Sequence, residues 1–126
     1  MMDSGCYQLR LNITRNISLI VGAMGVCNFK KGEYCYTGSA MKNLQSRIER
    51  HKRKDKKMHW HIDYLLAHSS VQLVEVIIHP SEKKEECDYN QSLINKGAEI
   101  PVLGFGSSDC RLCSAHLLKT NKFILP

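Results

Sequence analysis

Tyr7, Leu9, Leu11 and Ile13 alternate with Gln8, Arg10 and Asn12, which is the period of a strand with one buried face. A second short apolar run, rich in branched residues, covers residues 17–21, and Gly22 and Gly25 bracket a turn before a third run at 26–29. Lys30-Lys31-Gly32 turns the chain again into Glu33-Tyr34-Cys35-Tyr36-Thr37, and Gly38 stops it. Strands in such close succession must pair as antiparallel hairpins, because a parallel crossover consumes about a dozen residues or more.

Beyond Gly38 the period changes. Leu44, Ile48 and His51 recur at helical spacing, Ser39 or Asn43 can cap the start, and Arg47 and His51, four apart, share a face. Residues 55–57 interrupt this helix, and His59-Trp60-His61-Ile62-Asp63-Tyr64-Leu65-Leu66 reads as a short second one. Val71, Leu73, Val74, Val76, Ile77 and Ile78 form the most apolar stretch, expected to be a central strand ended by Pro80. A third helix is expected from Ser81 to Gly97, and the tail from residue 99 holds short elements at best. The fold expected is α/β of the α+β kind, a small antiparallel sheet flanked by helices. With 126 residues and 43% hydrophobic residues, residues 1–126 are read as one globular domain.

Charge is concentrated. Residues 47–57 hold seven basic side chains (Arg47, Arg50, Lys52, Arg53, Lys54, Lys56, Lys57) against Glu49 and Asp55, a local excess of +5 within a total of +6. A patch of this kind suits a polyanion, nucleic acid before an anionic membrane, and a merely solvated charged helix is the plainer alternative. No apolar run is long enough to span a bilayer, and residues 1–7 resemble neither a charged leader nor the head of a span, so a cytoplasmic, reduced protein is expected.

Cys110, Cys113 and His116 bring three soft or borderline ligands within seven residues, and Cys87 can arrive as a fourth. Tetrahedral Zn²⁺ accepts such a set, whereas buried thiols beside a packed histidine explain the same residues without metal. His51, His59, His61 and Asp63 crowd the region beside the basic run, where a nuclease would use a proton-exchanging imidazole. Trp60 and Tyr64 are read as core before stacking surface.

Gly5-Cys6-Tyr7 and Tyr36-Thr37-Gly38, followed by Ser39-Ala40, Arg47 and Glu86, resemble the GIY-YIG endonuclease superfamily. The phrases Tyr34-Cys35-Tyr36-Thr37-Gly38-Ser39-Ala40, Arg50-His51, His59 to Leu66 and Gly104-Phe105-Gly106-Ser107-Ser108-Asp109-Cys110, with His116-Leu117, are similar to the branch formerly called domain of unknown function 123, sometimes attached to endonuclease III-like DNA glycosylases. The resemblance implies a GIY-YIG-like sheet with an extra N-terminal β-hairpin. It also implies a catalytic set of Tyr7, Tyr36, Arg47, His61 and Glu86, with His51 as the other histidine contributor. Glu86, or its neighbour Glu85, would be the ligand for Mg²⁺ or Mn²⁺. The activity implied is metal-dependent hydrolysis of phosphodiester bonds, DNA before RNA, with a DNA-repair protein as a further partner. Arg50, His51, Lys52, Arg53, Lys54, Lys56 and Lys57 would then hold phosphates. The alternative is a non-catalytic nucleic-acid-binding module, with or without a stabilising zinc. Two departures stand out: a longer segment between the tyrosine motifs, shared with the closer branch, and Cys110-Arg111-Leu112-Cys113, one residue longer than that branch's Cys-x-Cys.

Overall fold

A computed structural model describes residues 3–83, 86–106 and 115–120, with Glu86 described by its backbone only. Strand β1 (Gly5–Ile13) runs antiparallel to both β4 (Gly32–Ala40) and β5 (Val71–Pro80), and β6 (Leu117–Thr120) joins the far side of β4. The sheet order is therefore β5-β1-β4-β6, while β2 (Ile17–Ile20) and β3 (Val26–Phe29) pair as a separate hairpin inserted between β1 and β4. The expectation that each close succession forms a hairpin is corrected: among the described strands only β2 and β3 pair as chain neighbours, because both sides of β1 are taken by β4 and β5, while the extra hairpin is in its expected place.

Helices α1 (Leu44–Lys52) and α2 (His61–Leu66) cover one face of the sheet and α3 (Glu86–Asn95) the other. On the first face Tyr7, Leu9, Leu11, Ile13, Tyr34 and Tyr36 meet Leu44, Ile48, Ile62, Leu65 and Leu66 from the helices and Phe29 from the hairpin. Alternation sends Cys35 and Leu118 to the opposite face, where Leu93 and Ala98 form a much smaller core. The two tyrosines thus share a face because the register sets Tyr7 opposite Gly38 and Leu9 opposite Tyr36.

Three further expectations are corrected here. The apolar stretch 71–78 is the edge strand, not a central one; Val74 and Ile78 are 58% and 42% exposed, and Val74 is the extra residue where the β1–β5 register shifts. Such a bulge is a common device for blunting an edge. Helix α3 begins at Glu86 and not at Ser81, whose hydroxyl instead accepts the Lys83 N–H at 3.0 Å in a local bend. Asn43 occupies the N-cap position of α1, but its side chain makes no cap bond; Asp3 does, through its carbonyl to Leu44 N–H at 3.2 Å and its Oδ1 to Gln45 N–H at 2.9 Å. Among the described residues no helix is long and apolar enough to cross a membrane.

Candidate active site

The end of the sheet where β1 begins and β4 finishes gathers the chemistry. The Tyr7 ring lies over Gly38 so closely that a Cβ there would stand 2.7 Å from its hydroxyl oxygen, which gives that glycine a steric reason. Helix α1 then delivers His51 from the buried face it shares with Leu44 and Ile48, and His51 Nε2 lies 2.8 Å from the Tyr7 hydroxyl. His51 is only 2% exposed, and its ring also approaches Tyr36 at 6.4 Å and Trp60 at 5.9 Å between centroids. Arg47, one turn earlier on α1, donates to the Ser39 carbonyl at 2.6 Å and rests over Trp60 at 4.8 Å.

Burial sets the protonation of this pair. It pushes the Tyr7 phenol up to about 12, against the lowering effect of the Arg47 charge and hydrogen bond. It also pushes His51 down to about 4, helped by the Lys56 charge and opposed by Asp63. At neutral pH both groups are uncharged. Nδ1 of His51 is buried with no partner among the described residues, so either tautomer leaves one ring nitrogen unanswered, and neither direction of the Tyr7–His51 bond is imposed from behind.

Behind the pair stands a buried carboxylate. Asp63, 0% exposed, accepts both guanidinium nitrogens of Arg50, at 2.9 and 2.8 Å, and the backbone N–H groups of His59 and Trp60, at 2.9 and 2.8 Å. Burial alone would raise its pKa, but these hydrogen bonds outweigh it and hold the group below 3.8. Asp63 is thereby committed to structure, with the Lys56 ammonium a further cation 3.9 Å from its Oδ1.

His61, on the first turn of α2, accepts the Gly106 N–H at Nδ1, 2.9 Å away, so its neutral ring carries the proton on Nε2. Burial keeps this imidazole below 6.5. Gly106 itself presses on Tyr36: a Cβ there would stand 2.8 Å from the ring. His61 therefore borders the Tyr36 side of the site, and His51, expected in the phosphate-holding run, is the histidine that reaches Tyr7.

The rest of the basic run divides. Lys54 Nζ donates to the carbonyls of Leu66, His68 and Val71 at 2.7–3.0 Å, and Lys56 Nζ to those of Arg50 and His51 at 3.1 Å. Burial lowers the pKa of both. Lys52, Arg53 and Lys57 are exposed. Glu86 opens α3, and the next residue, Cys87, places Sγ 3.7 Å from His116 Nε2, while the His116 carbonyl accepts the Thr37 N–H at 3.0 Å. The start of α3 thus adjoins the β4 segment just past Tyr36, on the opposite face. Two ligands of one tetrahedral zinc ion would stand about 3.6 Å apart, so Cys87 and His116 fit half such a set; Cys110, Cys113 and Glu85 lie outside the described residues. Among the described residues no group of three or more His, Cys, Asp and Glu is placed to hold a metal ion.

The profile of one family, described as domain of unknown function DUF123, matches residues 6–124. The chain belongs to this family. No curated protein and no solved structure matches it significantly. The sequence singles out Asp63 beside the basic run and Trp60 as core, and Trp60 does pack against the core, but neither is given a part in the site. The available signal was a single carboxylate on the apolar α2, facing a run rich in cations.

Proposed function

We propose that this DUF123 domain is a GIY-YIG-type, divalent-metal-dependent endonuclease acting on nucleic-acid phosphodiester bonds, DNA before RNA. The observation that carries this reading is the convergence of Tyr7, His51 and Arg47 at one end of the sheet, with the 2.8 Å Tyr7–His51 bond at its centre and Tyr36 alongside. In this reading the attacking water gives a proton to the Tyr7 oxygen while the phenolic proton passes to His51 Nε2. The water oxygen bonds to phosphorus as the bond to the leaving sugar oxygen breaks, and that oxygen takes a proton from solvent water. Arg47, with no carboxylate partner among the described residues, stabilises the negative charge that builds on the phosphoryl oxygens. His61 presents an Nε2–H donor on the Tyr36 side. A Mg²⁺ or Mn²⁺ ion would supply Lewis-acid stabilisation of the same charge; Glu86, the proposed ligand, opens α3 on the opposite face and would have to reach the ion around the end of the sheet. That sparse donor set suits a hard cation that keeps most of its waters, since Asp63 is already committed to Arg50. Lys52, Arg53 and Lys57 extend the positive surface along which a phosphate backbone would run.

A second reading, nucleic-acid binding without turnover, is favoured by one observation: burial keeps Tyr7 protonated up to about pH 12, a resting state that resists proton abstraction. One experiment separates the two. Labelled linear, flapped, branched and abasic DNAs, and RNA, are incubated with the full chain in Mg²⁺, Mn²⁺ or EDTA. Metal-dependent products are expected, falling about a hundredfold or more in Arg47→Ala, and likewise in Tyr7→Phe and Glu86→Ala, with binding retained. Binding across the panel without products from the parent protein would replace the first reading by the second. Cleavage by Arg47→Ala at the parent rate would reject the assigned chemistry.

A further inference from the structure

We propose that Trp60 is a positioning residue for Arg47, holding its guanidinium at the Tyr7 end of the sheet; the catalytic consequence, though not the positioning itself, rests on the endonuclease reading. An arginine side chain leaving a helix sweeps a wide volume unless its head is held. Arg47 is held by the Ser39 carbonyl at 2.6 Å, by its hydrogen bond to Tyr7 and by the Trp60 ring at 4.8 Å from its centroid. Hydrogen bonds hold the guanidinium at its edge, where the nitrogens lie, and leave its flat face unsupported. The aromatic ring supplies that support, and tryptophan offers the strongest ring for a cation.

Trp60 is itself placed with unusual care. Its backbone N–H and that of His59 both end on Asp63 Oδ2, and Asp63 is anchored by the paired nitrogens of Arg50. Arg50 also lies at the Trp60 ring, 4.6 Å from the centroid. Two guanidinium groups thus share one indole, but their charges are answered differently. Arg50 is neutralised by Asp63 on the protein side, and Arg47 keeps its charge toward Tyr7. His59 packs edge-on against the same ring at 4.8 Å, and His51 lies 5.9 Å away. With these neighbours around it, the indole serves the arginine and is not left as a platform for a nucleobase.

The test compares the full-length parent, Trp60→Leu and Trp60→Phe by two readouts. In ¹⁵N-labelled protein the Arg47 Nε–Hε signal is followed for ring-current shift and hydrogen exchange. Under the cleavage conditions above, kcat and KM are measured separately. Trp60→Leu should move the Arg47 signal to the position of a solvated arginine and lower kcat about tenfold at nearly constant KM, and Trp60→Phe should restore most of both. An Arg47 signal unmoved by Trp60→Leu overturns the proposal. So does a rise in KM at constant kcat, which would make Trp60 a substrate contact. Should Trp60→Leu fail to fold, Trp60→Phe decides through its smaller ring, by a partial shift or none. If the parent cleaves nothing, the endonuclease reading fails, and the Arg47 signal alone still decides whether Trp60 holds it.

Discussion

On one face of the sheet, Tyr7, Leu9 and Tyr36 lie under two helices and a hairpin, and an arginine–carboxylate pair, Arg50 with Asp63, is buried beside them. On the other face a single helix covers Cys35 and Leu118, and the corresponding pair, Arg10 with Glu75 at 2.8 Å, has a carboxylate 48% exposed where Asp63 is fully buried. The same chemical contact occurs on both sides at nearly the same distance. Its surroundings differ, and the difference teaches that the first face is built to hold side chains still while the second only closes the sheet.

The ion pairs give the largest contrast. Asp63→Ala should cost about 3 kcal/mol in urea unfolding, because it strands Arg50 and two backbone donors. Glu75→Ala should cost less than about 1 kcal/mol, as exposed pairs do. Equal losses would break the comparison.

Acid offers a second handle, on the first face alone. The folded pKa of His51 is about 4 against 6.5 for a free imidazole, so between those values the unfolded chain binds more protons and stability falls with pH. His51 should account for about 3 kcal/mol of that fall. His51→Gln should remove most of this slope, leaving a smaller part from His61, whose pKa is lowered in the same direction. Asp63 acts in a separate window: with its folded pKa below 3.8, its contribution is complete above 3.8 and is lost as pH falls through the folded value. An unchanged slope between pH 6.5 and 4 in His51→Gln would show that the imidazole is not buried as described.

The smallest contrast lies in the cores. Leu9→Ala, surrounded on all sides in the larger core, should cost about 4 kcal/mol, whereas Leu93→Ala should cost about 3 kcal/mol because Ile94 and Ile100 can close in on the space. A Leu93 variant that loses as much as the Leu9 variant would mean that the second face is as tightly packed as the first.

Period and spacing reveal much of this architecture in advance. Alternation from Tyr7 to Ile13 marks the half-buried strand, and Leu44, Ile48 and His51 mark the buried stripe of α1; that β1 skips its chain neighbour to pair with β4 is not legible from connection length. That same stripe already sets His51 apart from the cations around it, although its place in the basic run points the other way. The edge position of β5 is not legible, because a run of branched residues reads alike in a central strand and in a bulged edge. Nor is the Asp3 cap, the Arg50–Asp63 pair or the Trp60 stack, each made between residues far apart in the chain and governed by packing, which local periodicity does not report.

The hairpin insert leaves the sheet after Ile13 and returns at Gly32, two residues that face each other across β1 and β4. Whatever happens to the length of that excursion, the ladder on either side closes at the same rung, and Tyr7 still meets Gly38 while Leu9 meets Tyr36. The turn at residues 22–25 is therefore a place where an inserted or grafted peptide can be added without retiming the tyrosines, while Ile17, Val21, Cys27 and Phe29 on either side stay in the core. Variation there leaves the alignment of the site's parts to the sheet.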